Sequence, residues 1–293
     1  MYHTADWAGL WEDSFAKFRA RFIVCSDADG YLAGLPLALR GRRPLARAFS
    51  LPMGTYGGLI VRPGQEARAR ELAAAVEQEM GRLGPSLVEL TDFSGSQHYL
   101  ADMGYGVRTA TTHIVELEAH RTRPRSRMKR GAVQSAQRGL SVRDLGSEAE
   151  LERCYRLLQE RDREFGQATK YPIAFLRGIW QGMAARGLAQ FRVAAAGQRI
   201  AGFMINLLSK QDIIYWDGAS GREDSALRPA DALYADAIGW GLANGYRRLN
   251  LGGSPPGAGG LVSFKERWGG KPYIYRIYSK KTWWYKSLER LRR

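Results

Sequence analysis

Lys265 follows Phe264 just after a glycine- and proline-rich stretch, Gly252-Gly253-Ser254-Pro255-Pro256-Gly257. A cation presented there could sit against a developing oxyanion or a departing alkoxide, or it could be a surface lysine opening a short amphipathic helix. Asp217 ends the run Tyr215-Trp216-Asp217, ahead of Gly218. A carboxylate at a strand end can accept a proton from an amine or orient it, or it can bond its own turn. Tyr215 stands two residues earlier, on the same face of a regular strand, as a cleft residue or as plain core. Arg161, in Gln159-Glu160-Arg161-Asp162, offers a planar fork to phosphate or carboxylate or pairs with its acidic neighbours on a helix surface. Lys265 and Asp217 are the candidate catalytic pair, with Arg161, Tyr215 and Phe264 as substrate contacts. Tyr56, before Gly57-Gly58, is a further one, unless Tyr-Gly-Gly is simply a turn.

Other chemistries find no support. His3, His98, His113 and His120 show no metal-ligand spacing, and Cys25 and Cys154 form no CxxC, so no metal is expected. There is no G-x-S-x-G for a serine nucleophile and no GK[ST] for a P-loop. The glycine-rich stretch 252–257 is not a GxGxxG. Its glycines permit a close backbone approach to a ligand, or a flexible connection.

These residues must be held by a fold, and periodicity outlines it. Apolar residues at helical spacing predict a helix over 4–18, and two strands, Phe22–Ser26 and Tyr31–Leu39, flank the turn at Asp27–Gly30. An interrupted strand or a loop over 49–61, a helix over 65–83, a strand at Leu87–Leu90, a helix near 96–103 and a strand at Thr109–Leu117 complete the first half. The second half opens on a basic helix, Arg125–Gln137, stopped by Gly139. Ser147-Glu148-Ala149-Glu150 is a capping box for a helix to Glu164. A helix over 172–185, three strands (188–195, 199–208 and 211–218), a helix over 229–244, a strand at Arg247–Leu251, a short helix over 261–268 and a strand at Pro272–Tyr278 follow. The two halves repeat one order of elements, a degenerate tandem repeat of an α/β unit. The expected domains are 1–119 and 120–293.

Charge is divided unevenly. Of 293 residues, 1–112 carry 12 basic and 12 acidic side chains, while 113–293 carry 32 and 17, the whole net charge of +15. One half facing a polyanion would explain this, as would a solvated basic face. The densest run is Arg121, Arg123, Arg125, Arg127, Lys129 and Arg130, and Arg125, Arg127, Lys129 and Arg130 are the candidate nucleic-acid or polyanion contacts. Trp283, Trp284, Tyr285 and Lys286, in a basic C-terminal run, suit an anionic membrane surface. The apolar stretch Arg192–Leu208 is broken by Gln198 and Arg199 short of the roughly 20 residues needed to span a membrane. Asp6, Glu12 and Asp13 have the wrong polarity for a secretory signal. A cytoplasmic protein with a peripheral membrane contact is expected.

The element order is similar to that of a GNAT acyltransferase domain. The second half, through Arg161, Tyr215-Trp216-Asp217-Gly218-Ala219-Ser220, Leu227-Arg228-Pro229, Gly245–Gly253 and Phe264-Lys265-Glu266-Arg267-Trp268-Gly269-Gly270, resembles the Fem family of peptidoglycan-bridge aminoacyl transferases. Leu35-Pro36-Leu37 and Pro52…Tyr56-Gly57-Gly58 fit the same group. The resemblance implies an α/β (α+β) fold of tandem GNAT-like domains, each a mixed, largely antiparallel sheet flanked by helices. It implies transfer of an aminoacyl group from aminoacyl-tRNA to an amine of a lipid- or nucleotide-linked muropeptide precursor, with no further cofactor. Lys265 would contact the acyl-ester end, Arg161 the anionic precursor, and the strand of Tyr215 its cleft. The competing donor is coenzyme A. A GNAT domain holds its pyrophosphate with Q/R-x-x-G-x-G/A at a helix N-terminus, and here that place reads Gly221–Pro229 in the second half and Val61–Gln65 in the first, neither with the pattern. An acyl-CoA- or acyl-carrier-dependent N-acyltransferase acting on a polysaccharide or small amine is the alternative. A non-catalytic RNA- or membrane-binding protein on a decayed GNAT scaffold is the third reading.

Overall fold

The computed structural model describes residues 2–51, 55–120, 127–255 and 257–291, with only the backbone at 127–129, 288 and 291. Along the first half run α1 (Ala5–Ser14), β1 (Phe18–Asp27), β2 (Gly30–Arg40), β3 (Arg47–Phe49), β4 (Ile60–Val61), α2 (Ala69–Leu83), β5 (Leu87–Asp92), α3 (Tyr99–Asp102) and β6 (Gly106–Glu116). The second half adds α4 (Arg127–Gln137), β7 (Leu140–Asp144), α5 (Glu148–Glu164), α6 (Ile173–Arg177), β8 (Ala189–Ala196), β9 (Arg199–Ser209) and β10 (Asp212–Ser220). It ends with α7 (Pro229–Ala243), β11 (Arg248–Gly253), α8 (Gly259–Arg267), β12 (Lys271–Lys281) and α9 (Trp283–Leu291).

The chain forms two compact units, Thr112–Tyr273 and Tyr2–Thr111 with Ile274–Arg293. It thus passes between units inside β6 and returns inside β12, whereas the sequence places one boundary at 119/120. The return is fixed by pairing of distant segments: β12 runs antiparallel to β5 from Arg276↔Asp92 to Lys281↔Leu87.

In the unit holding the N-terminus, β1 and β2 form a long antiparallel hairpin. Its turn uses Gly30 at φ 112° and an Asp29 amide bonded to Asp27 Oδ1. β2 pairs antiparallel with β3, and β3 pairs parallel with β5. Helix α2 lays Ala73, Val76 and Met80 on Leu35, Leu37, Val88 and Leu90, burying one apolar face of the helix. Helix α1 is capped by Thr4 and stops at Ser14, short of the predicted Phe18. Phe15 turns extended, and its ring stacks on Trp11 at 5.0 Å while Phe18 opens β1. Aromatic packing, not a fourth helical turn, takes those apolar residues.

In the other unit the sheet runs β6-β11-β10-β9-β8-β7, antiparallel except for the parallel pair β10–β11. β7, which periodicity misses, pairs with β8 from Leu140↔Ala196 to Asp144↔Arg192. Helix α7 buries Leu233, Tyr234, Ala237 and Ile238 on Met204, Leu208, Ile213 and Leu249. The capping box at Ser147 forms in half. Ser147 Oγ accepts from the Glu150 amide, but the Glu150 carboxylate reaches the Gly146 amide, 2.8 Å away, and Arg143. Among the described residues no helix is long and apolar enough to cross a membrane.

Candidate active site

Strands β10 and β11 pair only over Asp212–Ile214 and Arg248–Asn250. Beyond that point both depart from regular geometry. β10 bulges between Tyr215 and Asp217, which pair with Asn206 and Ile205 of β9. β11 turns at Gly252, φ 77°, a backbone conformation suited to glycine. The candidate residues of this unit gather around that divergence.

The bulge corrects the expected placement of Tyr215 and Asp217 on one face. Their partners Asn206 and Ile205 are adjacent and so point to opposite faces of the sheet. Tyr215 packs among the α7 residues, its ring stacked on Tyr234 at 5.7 Å. Asp217 is presented to α5 instead, where Arg161 grips its Oδ1, an atom that also accepts from the Gly218 amide at 2.8 Å. Arg161 is itself held by Asp162, whose Oδ1 accepts from Nε at 3.1 Å and Nη2 at 2.6 Å. Nη1 also reaches the Gly218 carbonyl at 2.8 Å. The guanidinium therefore lies on two carboxylates and a carbonyl, with 25% of its side chain exposed. The Tyr215 hydroxyl points at the same carbonyl, 3.4 Å away. Burial holds the Tyr215 and Tyr234 phenols above their ordinary range, with the Asp217 charge acting in the same direction, so both stay neutral donors.

Lys265 lies on α8 and is 3% exposed. Its Nζ donates to the carbonyls of Gly252 at 2.8 Å and Gly253 at 2.7 Å and to Ser254 Oγ at 3.0 Å. Burial pulls its pKa down from 10.5 to about 8. The start of the 252–257 stretch is thus anchored. The Gly252 amide donates to Asn250 Oδ1 at 2.9 Å, and the Thr112 hydroxyl donates to the same oxygen at 2.5 Å. Gly270 closes the end of α8, because a Cβ there would come within 2.9 Å of the Lys265 carbonyl and 3.2 Å of His113 Cβ. His113 is buried, and desolvation, then the Lys265 charge, lower its pKa. A chain of rings joins the two charged groups: Tyr215 to Tyr234, Tyr234 to Phe264 at 5.2 Å, and Phe264 next to Lys265.

The other predicted residues lie elsewhere. Tyr56 belongs to the unit holding the N-terminus, where it stacks on Phe93 at 4.0 Å and meets Tyr275 edge-on at 5.5 Å. Its Gly57-Gly58 is required by packing: a Cβ on Gly57 would run into the Ser50 carbonyl oxygen, and one on Gly58 into the Gln97 carboxamide. Ser50 cannot give way easily, because its amide donates to the Glu89 carbonyl and its hydroxyl accepts from the Thr91 amide, each at 2.8 Å. Gly57→Ala should therefore cost about 1–3 kcal/mol, read as a lower urea midpoint at unchanged slope. Arg125 lies outside the described residues, and Arg127 and Lys129 are described in backbone only. Arg130 is exposed. Of the four residues expected at a membrane surface, Trp283 is 80% exposed and Lys286 is exposed, but Tyr285 is buried, with the Arg47 guanidinium 5.5 Å over its ring. Asp162, Tyr171, Tyr234 and His113 were not singled out by sequence. Only Asp162, next to Arg161, carried a local signal.

A family profile described as an acetyltransferase (GNAT) domain matches residues 119–266. The chain belongs to that family. Among solved structures, the GNAT fold extends to nearly the whole chain. The crystal structure of FemX is similar with a TM-score of 0.73 at 12% identity, covering 93% of this chain and 90% of that one. The C-terminal DUF2156 domain assigned to a lysylphosphatidylglycerol synthetase of Agrobacterium fabrum gives 0.61 at 14%, covering 89% and 84%. A tandem GNAT protein from the clavulanic acid biosynthesis pathway gives 0.59 at 15%, covering 90% and 83%. No curated protein sequence matches. The chain is thus a GNAT-type acyltransferase with a tandem GNAT-like fold, and the likeness to the Fem family holds at the level of that fold.

In this GNAT unit helix α4 packs on the turn that opens α7. Arg228 precedes it in the left-handed conformation, φ 56°, and its Nε lies 2.7 Å from Asp231 Oδ2. Helix α4 lies against this turn. A Cβ on Gly131 would meet Asp231 Oδ2 at 2.6 Å, and Ser135 Oγ lies 2.9 Å from the Gly131 carbonyl and 3.1 Å from that of Arg228. Asp224, just upstream, is buried with Arg199 Nη1 2.7 Å from its Oδ1.

Proposed function

We propose that this GNAT acyltransferase takes an aminoacyl group from an aminoacyl-tRNA and joins it to an amine of a peptidoglycan precursor. The observation that carries the choice of donor is the start of α7. A pyrophosphate there would meet helix α4 packed on the turn, with Gly131 close to Asp231, and the Asp231 and Asp224 carboxylates, each paired with an arginine. A tRNA 3′ ester needs no such site, and the basic half of the chain, with Arg130 on α4, supplies phosphate neutralisation. The likeness to FemX and the Phe264-Lys265 pair support the same reading.

The chemistry divides between the two charged groups. The neutral amine attacks the ester carbonyl carbon, the C–N bond forms and the carbonyl oxygen becomes an oxyanion. Lys265 faces that oxygen, or the ribose 3′ oxygen as its bond to carbon breaks, by exchanging its Ser254 contact for the substrate. Asp217 Oδ2, which carries no hydrogen bond among the described residues, takes the amine proton; the departing 3′ oxygen leaves as a hydroxyl after protonation.

The test is transfer of label from a pool of charged tRNA into cell-wall precursors, with acetyl-CoA as the parallel donor. Label moving from tRNA into the precursors is the expected result. Transfer from acetyl-CoA alone would overturn the choice of donor and make the covered start of α7 irrelevant to it.

A further inference from the structure

Strand β1 pairs only with β2, and one short stretch of its other edge is left open. Phe22 lies opposite Pro36. Proline has no amide to give, so this is a non-hydrogen-bonded pair, and the Phe22 amide and carbonyl point away from β2. The same alternation turns the backbone groups of Phe18, Ala20 and Val24 outward. At the start of the strand the chain itself answers them. The Phe18 amide donates to the Phe15 carbonyl at 2.9 Å, and the Ala20 amide to Glu12 Oε1 at 2.8 Å. Arg19 Nη1 donates to the Phe18 carbonyl at 2.9 Å, and Arg21 Nη1 to that of Ala20 at 2.7 Å. Among the described residues nothing answers Phe22 and Val24 in this way. Their side chains are 46% and 55% exposed, and with Tyr31 and Ile60, also exposed, they line an open cavity of about 310 Å³. An edge with open amides and apolar side chains is a template for another strand.

The residues of β1 say which strand. Outward from Ile23, Phe22 mirrors Val24 and Arg19 mirrors Asp27. Two antiparallel copies of β1 paired about Ile23 therefore set Phe22 of each on Val24 of the other, through the open amides and carbonyls, and Arg19 of each opposite Asp27 of the other. A two-fold interface requires this self-complementarity. The neighbouring two-fold registers lack it. Pairing about Phe22 sets Arg19 on Cys25 and Arg21 on Ile23, with no opposite charge. Pairing about Val24 sets Phe22 on Ser26. Arg19 and Asp27 are both exposed, and neither has an ion-pair partner among the described residues.

We propose that a second copy of this chain docks on the open edge, β1 against β1 and antiparallel about Ile23, as a two-fold dimer. Phe22 and Val24 form the hydrogen-bonded centre of the ladder, and the Arg19–Asp27 pairs fix its register. Glu12 and Arg21, which hold the Ala20 amide and carbonyl, confine the ladder to that centre. Association through so short a ladder depends on concentration and weakens with salt.

The experiment is sedimentation equilibrium of the full chain over a wide range of concentration, with urea midpoints to show that each variant folds. The wild type should dimerise. Val24→Lys, at an exposed position, should raise the dissociation constant at least about tenfold. Arg19→Asp and Asp27→Lys should each weaken the homodimer, because like charges then face each other. An equal mixture of those two variants should regain association, since in a mixed pair every charge again faces its opposite. Register is read by disulfide formation in a Cys25→Ser chain, whose other cysteine, Cys154, is fully buried. Ile23→Cys should cross-link two chains, because it meets itself in a non-hydrogen-bonded pair with Cα atoms about 4.5 Å apart. Phe22→Cys and Val24→Cys meet themselves only in the neighbouring registers and should lag behind it. A wild type that stays monomeric at every concentration, a dimer indifferent to Val24→Lys, or a mixture that regains nothing would each overturn the proposal. Cross-linking at 22 or 24 ahead of 23 would overturn the pairing about Ile23. If Asp27→Lys does not fold, Val24→Lys and Arg19→Asp, both at exposed side chains, decide the matter.

Discussion

Replacing Lys265 by alanine should lower acyl transfer by about 10²–10³-fold, the usual effect of removing one donor from a developing oxyanion. The side chain has no cheap substitute, because its ammonium gathers the Gly252 and Gly253 carbonyls and the Ser254 hydroxyl. Lys265→Arg and Lys265→Met separate charge from packing. Both fill volume, but only arginine keeps a cation. A pH profile gives the sharper signature. With a pKa of about 8, Lys265 is charged below that pH and neutral above it. Wild-type transfer should therefore fall as pH rises through about 8, and this limb should move well upward in any active Lys265→Arg enzyme. Stability should change in the opposite sense. The folded-state pKa, about 8, lies below the ordinary 10.5, so between those values the unfolded chain binds more protons than the folded one. The contribution of Lys265 to stability is thus least below pH 8, rises from 8 to 10.5 and is absent from the pH dependence of Lys265→Met. Urea midpoints at pH 7.5 and 10 measure it. A transfer profile flat from pH 7 to 9.5 would remove the lysine from the chemistry.

Asp217→Asn should lower the maximal rate by about 10²–10³-fold while leaving the choice of acyl donor unchanged. Asparagine can still accept from the Gly218 amide through its carbonyl oxygen, so the turn persists. What is lost is the proton acceptor and one of the two charges on Arg161. Because Asp162 remains on the guanidinium, the expected loss of stability is modest, about 1–3 kcal/mol, and a folded, nearly inactive protein results. Single-turnover rates at saturating acceptor check it. A rate within threefold of wild type would make Asp217 a structural partner of Arg161 and nothing more.

Much of this architecture is written in local pattern. Period-two and period-3.6 runs place most strands and helices of both units, Gly139 stops α4 at φ 78°, and Ser147 caps α5. The order of those elements resembles a GNAT domain and the Phe264-Lys265 and Tyr215–Ser220 strings resemble the Fem family, a likeness that the family profile over 119–266 bears out for the GNAT domain. The sequence also shows that the net charge of +15 comes from residues 113–293. These features are legible because each depends on residues a few positions apart, whose spacing and backbone preferences act before any tertiary contact forms.

What the fold decided depends on residues far apart in the chain. The Trp216 bulge inverts the relation of Asp217 to Tyr215, and it exists only because β10 pairs with Asn206 and Ile205. Arg161 reads as an anion fork in isolation. Asp217, which is 56 residues away, closes it by holding Nη1. In sequence Lys265 is a catalytic cation or a surface lysine opening a short amphipathic helix, and burial against Gly252 and Gly253 makes it a group with a pKa pulled down to about 8. The covered start of α7 needs Gly131 against Asp231, and the unit boundary inside β12 needs pairing with β5. Sequence determines side-chain chemistry and local geometry. Burial, long-range pairing and the company of other charges determine which of a residue's possible roles it can perform, and those exist only once the chain has closed on itself.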